Sequence, residues 1–498
     1  MFLYFCKAKG IFVSWRWLGT ESYTTKYNIY RDDEKINAFP LNVTNFTDTD
    51  GSVESTYQVA AVVDSEEQEK CDAVTSWESN KLDIELDIPE AVWRDGTPKL
   101  NDDGSQVFCM EGIYSQRIAE SGKPMWALEY RSSNGNGYTI SGPKGFLRSL
   151  GMLSLLQRTQ MILGWTWRAM YAGEEKFIFG LLGHDGMPSH NFYEYNALAA
   201  DMKKLEPYGF PYLPLPEIGV AYDYQSLWIT EYNKDMFVKP YLTMQGDIAK
   251  TFYYKNMDYN TVDLRNLKND YKLIIVPNQN IMNNESAKTI RSYVENGGTV
   301  IMTGTSAYMD ENSRVFRESR PGRLADVFGI RVVSFNRNYD KWSFSDKTEK
   351  SKKNGQLREQ LTVSKNGRKA NLDAEYYEVL ELNGAESFAE FEGKDMCAVS
   401  VNSYGKGKAY YTAAEMDINM LSWIIDEIAE ETGLTKPLEV PCGVQARKIA
   451  EGQYFYVNHR EETAEITLTE GGAGILSGKK YADKLILAPF DAELIVTE

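Results

Sequence analysis

The sequence predicts a multidomain protein of mixed α/β and all-β class: a small β-sandwich, two successive α/β regions and a short C-terminal β-domain. Three observations carry this. At 498 residues the chain exceeds what one hydrophobic core organises, so about three or four domains are expected. Period-two alternation marks both ends, whereas the middle mixes continuous apolar runs with stripes of helical spacing. Two stretches without periodicity and rich in Asp, Gly or Pro, around 89–109 and over 207–217, punctuate the chain.

The first 88 residues hold FVSWRWL (12–18), YNIYR (27–31) and TYQVAAV (56–62), each alternating and β-branched or aromatic. Turn chemistry separates them at Arg31-Asp32-Asp33 and Thr49-Asp50-Gly51, which is the spacing of a sandwich. The opening MFLYFCKAKGIFV places its apolar run before the lysines, the reverse of a signal peptide. It reads as a strand, or as a domain that has lost its true beginning.

After the linker, a helix is expected over 110–121, ended by Lys123-Pro124, and MWALEY (125–130) reads as a buried strand. Leu147, Leu150, Leu153 and Leu156 predict a helix over 144–163, GWTWRAM (164–170) another strand, and Phe192, Tyr195, Leu198, Met202 and Leu205 a helix over 191–205. Such alternation of helix and strand implies parallel pairing.

The second linker, PYGFPYLPLPE, has four prolines in eleven residues. Beyond it GVAYDY (219–224), YKLIIVPN (271–278) and TVIMTG (299–304) suit parallel strands covered on both faces. NESAKTIRSYVENGG (284–298) reads as a complete helix with Asn284 as its cap. This is a flavodoxin-like layer running to about 436. The tail, 437–498, returns to alternating strands such as YFYVNH and LILAPFDAELIV.

Composition removes several function classes. A net charge of -17 repels polyanions, so no nucleic-acid partner is expected. No run of 18 apolar residues exists, so no membrane-spanning helix is expected. Five scattered cysteines without a C-x-x-C pair, and only three histidines, argue against a disulfide framework, a zinc site or any metal or cofactor. Free cysteines fit the cytoplasm. Aromatics make up 13% of the chain and stack on sugars or fill cores, which tilts the reading only slightly towards carbohydrate.

Two family resemblances sharpen this. FVSWRWLGT, YNIYRDDEKIN and VTNFTDTDGSVESTYQVAAV closely resemble the fibronectin-like domain that opens rhamnogalacturonan lyases of polysaccharide lyase family 11, over roughly the first 88 residues. The lyase's catalytic propeller is missing, so no lyase activity is implied. From about 110 onwards KPMWALE (123–129), WTWR (165–168), GEEKFIFGLLGHDGMPSHNFYE (173–194), GVAYDYQSLW, ENGGTVIMTG and MDENSRVF (309–316) resemble the C-terminal part of a glycoside hydrolase family 42 β-galactosidase. The resemblance implies a partial (β/α)8 barrel over 110–206, a trimerisation domain of glutamine-amidotransferase-like fold over 207–436 and a small β-domain over 437–498. The amidotransferase nucleophile is not expected, because the turn after TVIMTG reads Thr305-Ser306. A homotrimer is implied in the same way.

Retaining glycosidases flank the scissile bond with two carboxylates about 5–5.5 Å apart. The position matching the nucleophile is Glu129, at a strand end where barrel chemistry sits. By residue chemistry alone it would be an ordinary loop carboxylate. Trp165 or Trp167 would supply a sugar-stacking face, with core packing as the alternative for both, and Arg168 could fix a nearby carboxylate. Glu175 matches a family glutamate that hydrogen-bonds substrate hydroxyls, but the histidine usual three residues later is Ile178.

A barrel needs ~250 residues, rarely below ~200, and only about 120 lie between sandwich and proline linker. The family's acid/base glutamate, preceded by asparagine, and its cysteine zinc cluster belong to the missing part. Asn284-Glu285 opens a helix elsewhere and reads as a cap. The expectation is therefore a β-galactosidase-like hydrolase of β-galactosides or pectic galactan side chains, impaired in turnover. The alternatives are a non-catalytic carbohydrate-binding or oligomerisation remnant, or a truncated or misjoined gene product. An exposed apolar edge where barrel strands should continue would favour the alternatives.

Overall fold

Alternating side chains need two sheets to hide one face of each strand, and the N-terminal part supplies them. The computed structural model describes residues 3–7, 10–15, 22, 24–75, 124–131, 143–177, 180–232, 241–338, 360–372, 374 and 376–497. The expected linker around 89–109 and helix over 110–121 lie outside these. The chain divides into two units, Met1–Arg94 and Asp95–Glu498.

In the first unit the strands are β1 (Leu3–Lys7), β2 (Gly10–Ser14), β3 (Lys26–Arg31), β4 (Glu34–Lys35), β5 (Asn45–Asp48), β6 (Thr56–Val63), β7 (Glu66–Lys70) and β8 (Val74–Thr75). One sheet runs β1-β2-β5 and the other β4-β3-β6-β7, with β8 on β6. Ile11, Val13, Trp15, Tyr27, Ile29, Tyr57 and Val59 form its core. Asp48 accepts from Arg31 Nη1 at 2.8 Å and from the buried Tyr57 hydroxyl at 2.8 Å. Burial, then this carboxylate, push the Tyr57 phenol well above its usual range.

Among the described residues the second unit begins with β9 (Met125–Arg131), α1 (Phe146–Leu156), β10 (Thr159–Trp165) and α2 (His190–Leu205). Here two expectations need correcting. The helix expected to reach 163 stops at Leu156, because Arg158 takes φ 67 and its guanidinium is anchored to Pro214 O and to Asp258 at 2.6 Å. The strand expected over 164–170 is instead Thr159–Trp165, and 166–170 is loop. The parallel pairing holds: β9 and β10 form a two-stranded parallel sheet. The proline linker is stitched down by Phe210, which is buried against Phe455 at 4.9 Å.

Next come β11 (Ile218–Ala221), α3 (Tyr224–Tyr232), α4 (Tyr241–Tyr254), β12 (Asn260–Val262), β13 (Leu273–Val276), α5 (Asn284–Glu295), β14 (Thr299–Thr303), α6 (Ala325–Phe328) and β15 (Ile330–Arg337). They are followed by β16 (Leu361–Lys365), β17 (Arg368–Leu372), β18 (Tyr376–Leu382), β19 (Glu386–Phe391), β20 (Cys397–Tyr404), β21 (Gly407–Thr412) and α7 (Ile418–Thr432). A nine-stranded sheet runs β12-β11-β13-β14-β21-β20-β19-β16-β17. Its first five strands are parallel in the flavodoxin-like order, and β21 pairs antiparallel with β20.

The continuous apolar runs bury both faces. Leu273 and Ile275 join one core with Ile248, Phe252 and Ile424, while Ile274 and Val276 join a second with Ile290, Val294 and Phe328. Each such side chain contributes about 1.5–3 kcal/mol on burial. The cap of α5 is Asn283 rather than Asn284: its Oδ1 accepts from Ser286 N at 2.8 Å.

The C-terminal strands are β22 (Val444–Ala450), β23 (Gln453–Asn458), β24 (Ala464–Thr467), β25 (Gly472–Gly474), β26 (Lys480–Tyr481), β27 (Lys484–Leu487) and β28 (Asp491–Val496). They make sheets β22-β23-β28-β25-β26 and β24-β27. Phe455, Val457 and Leu494 pack against Leu150 and Leu153 of α1, so this β-domain supports the region carrying β9 and β10.

Candidate functional site

A parallel strand pair backed by helices aims its C-terminal ends at one place, which is where α/β folds put their chemistry. Tyr130 pairs with Gly164 and Arg131 with Trp165, so Glu129 and Trp165 belong to adjacent strand ends. The side chain of Glu129 lies outside the described residues. Helices back one face of the pair: the Tyr130 hydroxyl and Ser154 Oγ are 2.7 Å apart, buried over α1. Gly164 packs closely there: a Cβ would lie 3.0 Å from the Tyr195 ring.

The other face is bare. Trp126 is 54% exposed, Leu128 61%, Leu163 54% and Trp165 39%. The expectation of a buried strand over 125–130 is thus corrected: only one of its faces is covered.

Beyond the cis Trp165–Thr166 peptide, the chain leaves β10 in a loop that returns to α2. Leu182 N donates to Trp167 O at 2.7 Å, Ala169 N to Leu182 O at 3.0 Å and Leu181 N to Thr166 O at 2.9 Å. Gly180 sits so close that a Cβ would lie 2.6 Å from Ala169 N. Trp167 is exposed and meets Phe192 edge-on at 6.2 Å. Arg168, also exposed, donates from Nη2 to the backbone carbonyl of His184 at 2.8 Å, where a carboxylate partner was expected. Glu175 is half-buried in a 3₁₀ turn, Glu174–Phe177. Ile178 lies outside the described residues.

The loop thus carries Trp167, Arg168 and Glu175, all C-terminal to the strand end that holds Trp165. Residue patterning had not singled out His184 or Gly180; the Gly183-His184-Asp185-Gly186 turn was the available signal. Other carboxylates of this region are engaged with backbone or with Arg148. Glu194 Oε2 accepts from Arg148 N at 3.2 Å at the positive end of α1, Asp185 accepts from Met187 N at 2.9 Å, and Asp201 pairs with Arg148 at 2.6 Å.

The C-terminal ends of the large parallel sheet are a second place to look. Asn278, Gln279, Asn280, Thr303 and Ser306 are buried there, and Thr305 takes φ 71 in the turn after β14. The crevice is filled by its own side chains. Thr305 Oγ1 donates to Asn278 Oδ1, and Asn280 Nδ2 donates to Thr305 O at 2.8 Å. Glu378, fully buried, accepts from Arg320 at 2.7 Å, Tyr376 at 2.9 Å and Tyr411 at 2.7 Å. Burial and this carboxylate raise the Tyr411 phenol well above its usual range. Asp223, raised by burial, accepts from Ser226 N at 2.7 Å at the start of α3. An open groove of about 880 Å³ lies at the opposite end of β13 and β14, lined by Arg265, Lys272, Lys288 and Glu431, away from every sequence-predicted site residue. Among the described residues no cluster of His, Cys, Asp and Glu could hold a metal ion, and no helix is long and apolar enough to cross a membrane.

Comparison with known proteins agrees with both resemblances read from the sequence. Residues 216–435 match the β-galactosidase trimerisation domain family, and residues 5–77 match the rhamnogalacturonan I lyase β-sheet domain family. The β-galactosidase LacZ of Heyndrickxia coagulans is 26% identical over 378 residues, covering 74% of this chain and 53% of its own. The β-galactosidase BgaB of Geobacillus sp. is 26% identical over 369 residues, covering 71% and 51%. The chain spans about half the length of the curated relatives it matches. In fold it is similar to a catalytic mutant of Gan42B, a GH42 β-galactosidase from G. stearothermophilus, with TM-score 0.70 at 21% identity over 82% of this chain and 58% of that one. The β-galactosidase of Bacillus circulans sp. alkalophilus is similar with TM-score 0.67 at 18% identity, covering 78% and 58%.

Proposed function

We propose that this chain is a β-galactosidase-like glycoside hydrolase that recognises β-galactosides or the galactan side chains of pectin and is impaired in turning them over. The observation that carries this reading is the convergence of Glu129 and Trp165 on adjacent parallel strand ends, with Trp167, Arg168 and Glu175 on the loop that follows. Glu129 is the nucleophile in this reading, Trp165 and Trp167 stack on the sugar, and Arg168 and Glu175 orient its hydroxyls. Attack by a carboxylate expels the leaving oxygen readily only if a second carboxylic acid protonates it. Glu194, Asp185 and Asp201, committed to backbone or to Arg148, are poor candidates for that second role. Loss of a general acid costs about 10²–10⁴ in rate on substrates with poor leaving groups. Activated aryl galactosides escape most of that penalty.

The test is hydrolysis of an aryl β-galactoside by the whole chain beside its Glu129→Gln variant. Turnover that disappears in the variant supports a working nucleophile. Equal background rates in both would sink the hydrolase reading.

One observation favours a second reading, a binding or assembly remnant. Of the eight strands a barrel needs, two are described here, and their apolar face is open to solvent. In either reading residues 216–435 serve as the assembly module, and a homotrimer is the proposed state. Light scattering on the purified chain would give the mass of three copies; a monomer at working concentration counts against it.

A further inference from the structure

We infer that His184 is the positioning residue that sets Glu175 for its sugar, a deepening of the reading above and resting on it. The loop leaving β10 has two limbs stitched together by backbone hydrogen bonds between Thr166–Ala169 and Leu181–Leu182. Between them the chain makes an excursion carrying the 3₁₀ turn Glu174–Phe177. At its outer end Gly173 takes φ +83, with open space where a Cβ would be. Among the described side chains, Tyr171 and Lys176 on either side of Glu175 are exposed. Hydrogen bonds reach this turn from outside it.

His184 supplies them. Its Nε2 lies 2.9 Å from Lys176 O and 3.1 Å from Met170 O. Two carbonyl oxygens at one ring nitrogen require that nitrogen to carry its hydrogen and share it. One carbonyl precedes the turn and the other lies next to Glu175, so a single imidazole ties the start of the excursion to the turn itself. The guanidinium of Arg168 in turn donates to His184 O at 2.8 Å, and Gly186 lets that guanidinium pass within 3.5 Å of where its Cβ would stand. Arg168, His184 and the turn form one chain of hydrogen bonds leading back to the strand end. Removing the shared bond should loosen the turn by about five- to ten-fold in the population held in place.

Trypsin reads this directly, because the carbonyl that His184 holds is the one trypsin attacks after Lys176. On the whole chain, His184→Ala should raise the initial rate of cleavage after Lys176 about five- to ten-fold, with the thermal midpoint unchanged. His184→Gln, whose amide nitrogen can take the place of Nε2, should return it towards wild type. Calorimetric affinity for methyl β-galactoside should fall by a similar factor in His184→Ala, recover in His184→Gln, and be lost in Glu175→Ala. Equal cleavage in wild type and His184→Ala, or a Gln variant as labile as Ala, overturns the clamp. Faster cleavage with unchanged affinity overturns the positioning role. If wild type does not bind the galactoside, the proposed function fails and takes the positioning role with it, while the cleavage rates still decide the clamp.

Discussion

At the scale of single residues, the buried charges matter most. Glu378 receives Arg320, Tyr376 and Tyr411 with no exposure to water, and its Oε1 also takes Thr305 N at 3.3 Å. Replacing it with Leu leaves Arg320 and two hydroxyls without their acceptor. The expected cost is about 3–5 kcal/mol in urea denaturation. Pairing it with Arg320→Met should recover much of that loss, and a double variant no better than the single one would contradict the assignment. Nothing local in the sequence announces this cluster. Its members come from positions 305, 320, 376, 378 and 411, and a lone glutamate in an alternating strand looks like surface. The candidate site was more legible, because WTWR and the Glu175 loop are contiguous in the chain. What escaped was the hydrogen-bond partner of Arg168, a backbone carbonyl sixteen positions away. A carbonyl has no residue type to read.

Elements were legible where their causes are local and misread where they are not. The runs LIIV and TVIMT gave parallel strands because both faces find cover within the same unit. Leucine spacing predicted the helix but not its end, which was placed at 163; the stop at Leu156 comes from Asp258 and Pro214, far along the chain. The cap of α5 was misplaced by one asparagine. Asn283→Ala should therefore cost about 1 kcal/mol, and Asn284→Ala much less, in matched thermal melts. The strand over 125–130 was misread for a different reason: an apolar sequence states what wants burial, not whether a cover exists. Its bare face makes a prediction. The Trp126→Ser, Leu128→Ser double variant should bind less of a hydrophobic dye than wild type and keep its melting temperature. A variant that melts many degrees lower would mean that these side chains are packed after all.

On the scale of the whole molecule, the sandwich core and the large sheet's cores share no residue. Units with their own cores melt on their own terms. Calorimetry should resolve at least two transitions, and Glu378→Leu should move only the larger. A single transition shifted as a whole would show that the units are energetically fused. The order of the sandwich and the large sheet was legible because composition changes between them.

Strand β21 joins the parallel and antiparallel halves of the sheet, yet it is made late. Its parallel partner β14 ends at Thr303, and Gly407 begins β21. A ribosome adding about 5–20 residues per second needs roughly 5–20 s to cross that interval. Through it, the growing chain displays β14 with one whole edge of amides and carbonyls unanswered, an invitation to stray pairing. Chaperone demand during synthesis should peak in this window and fall once residue 412 is free to dock.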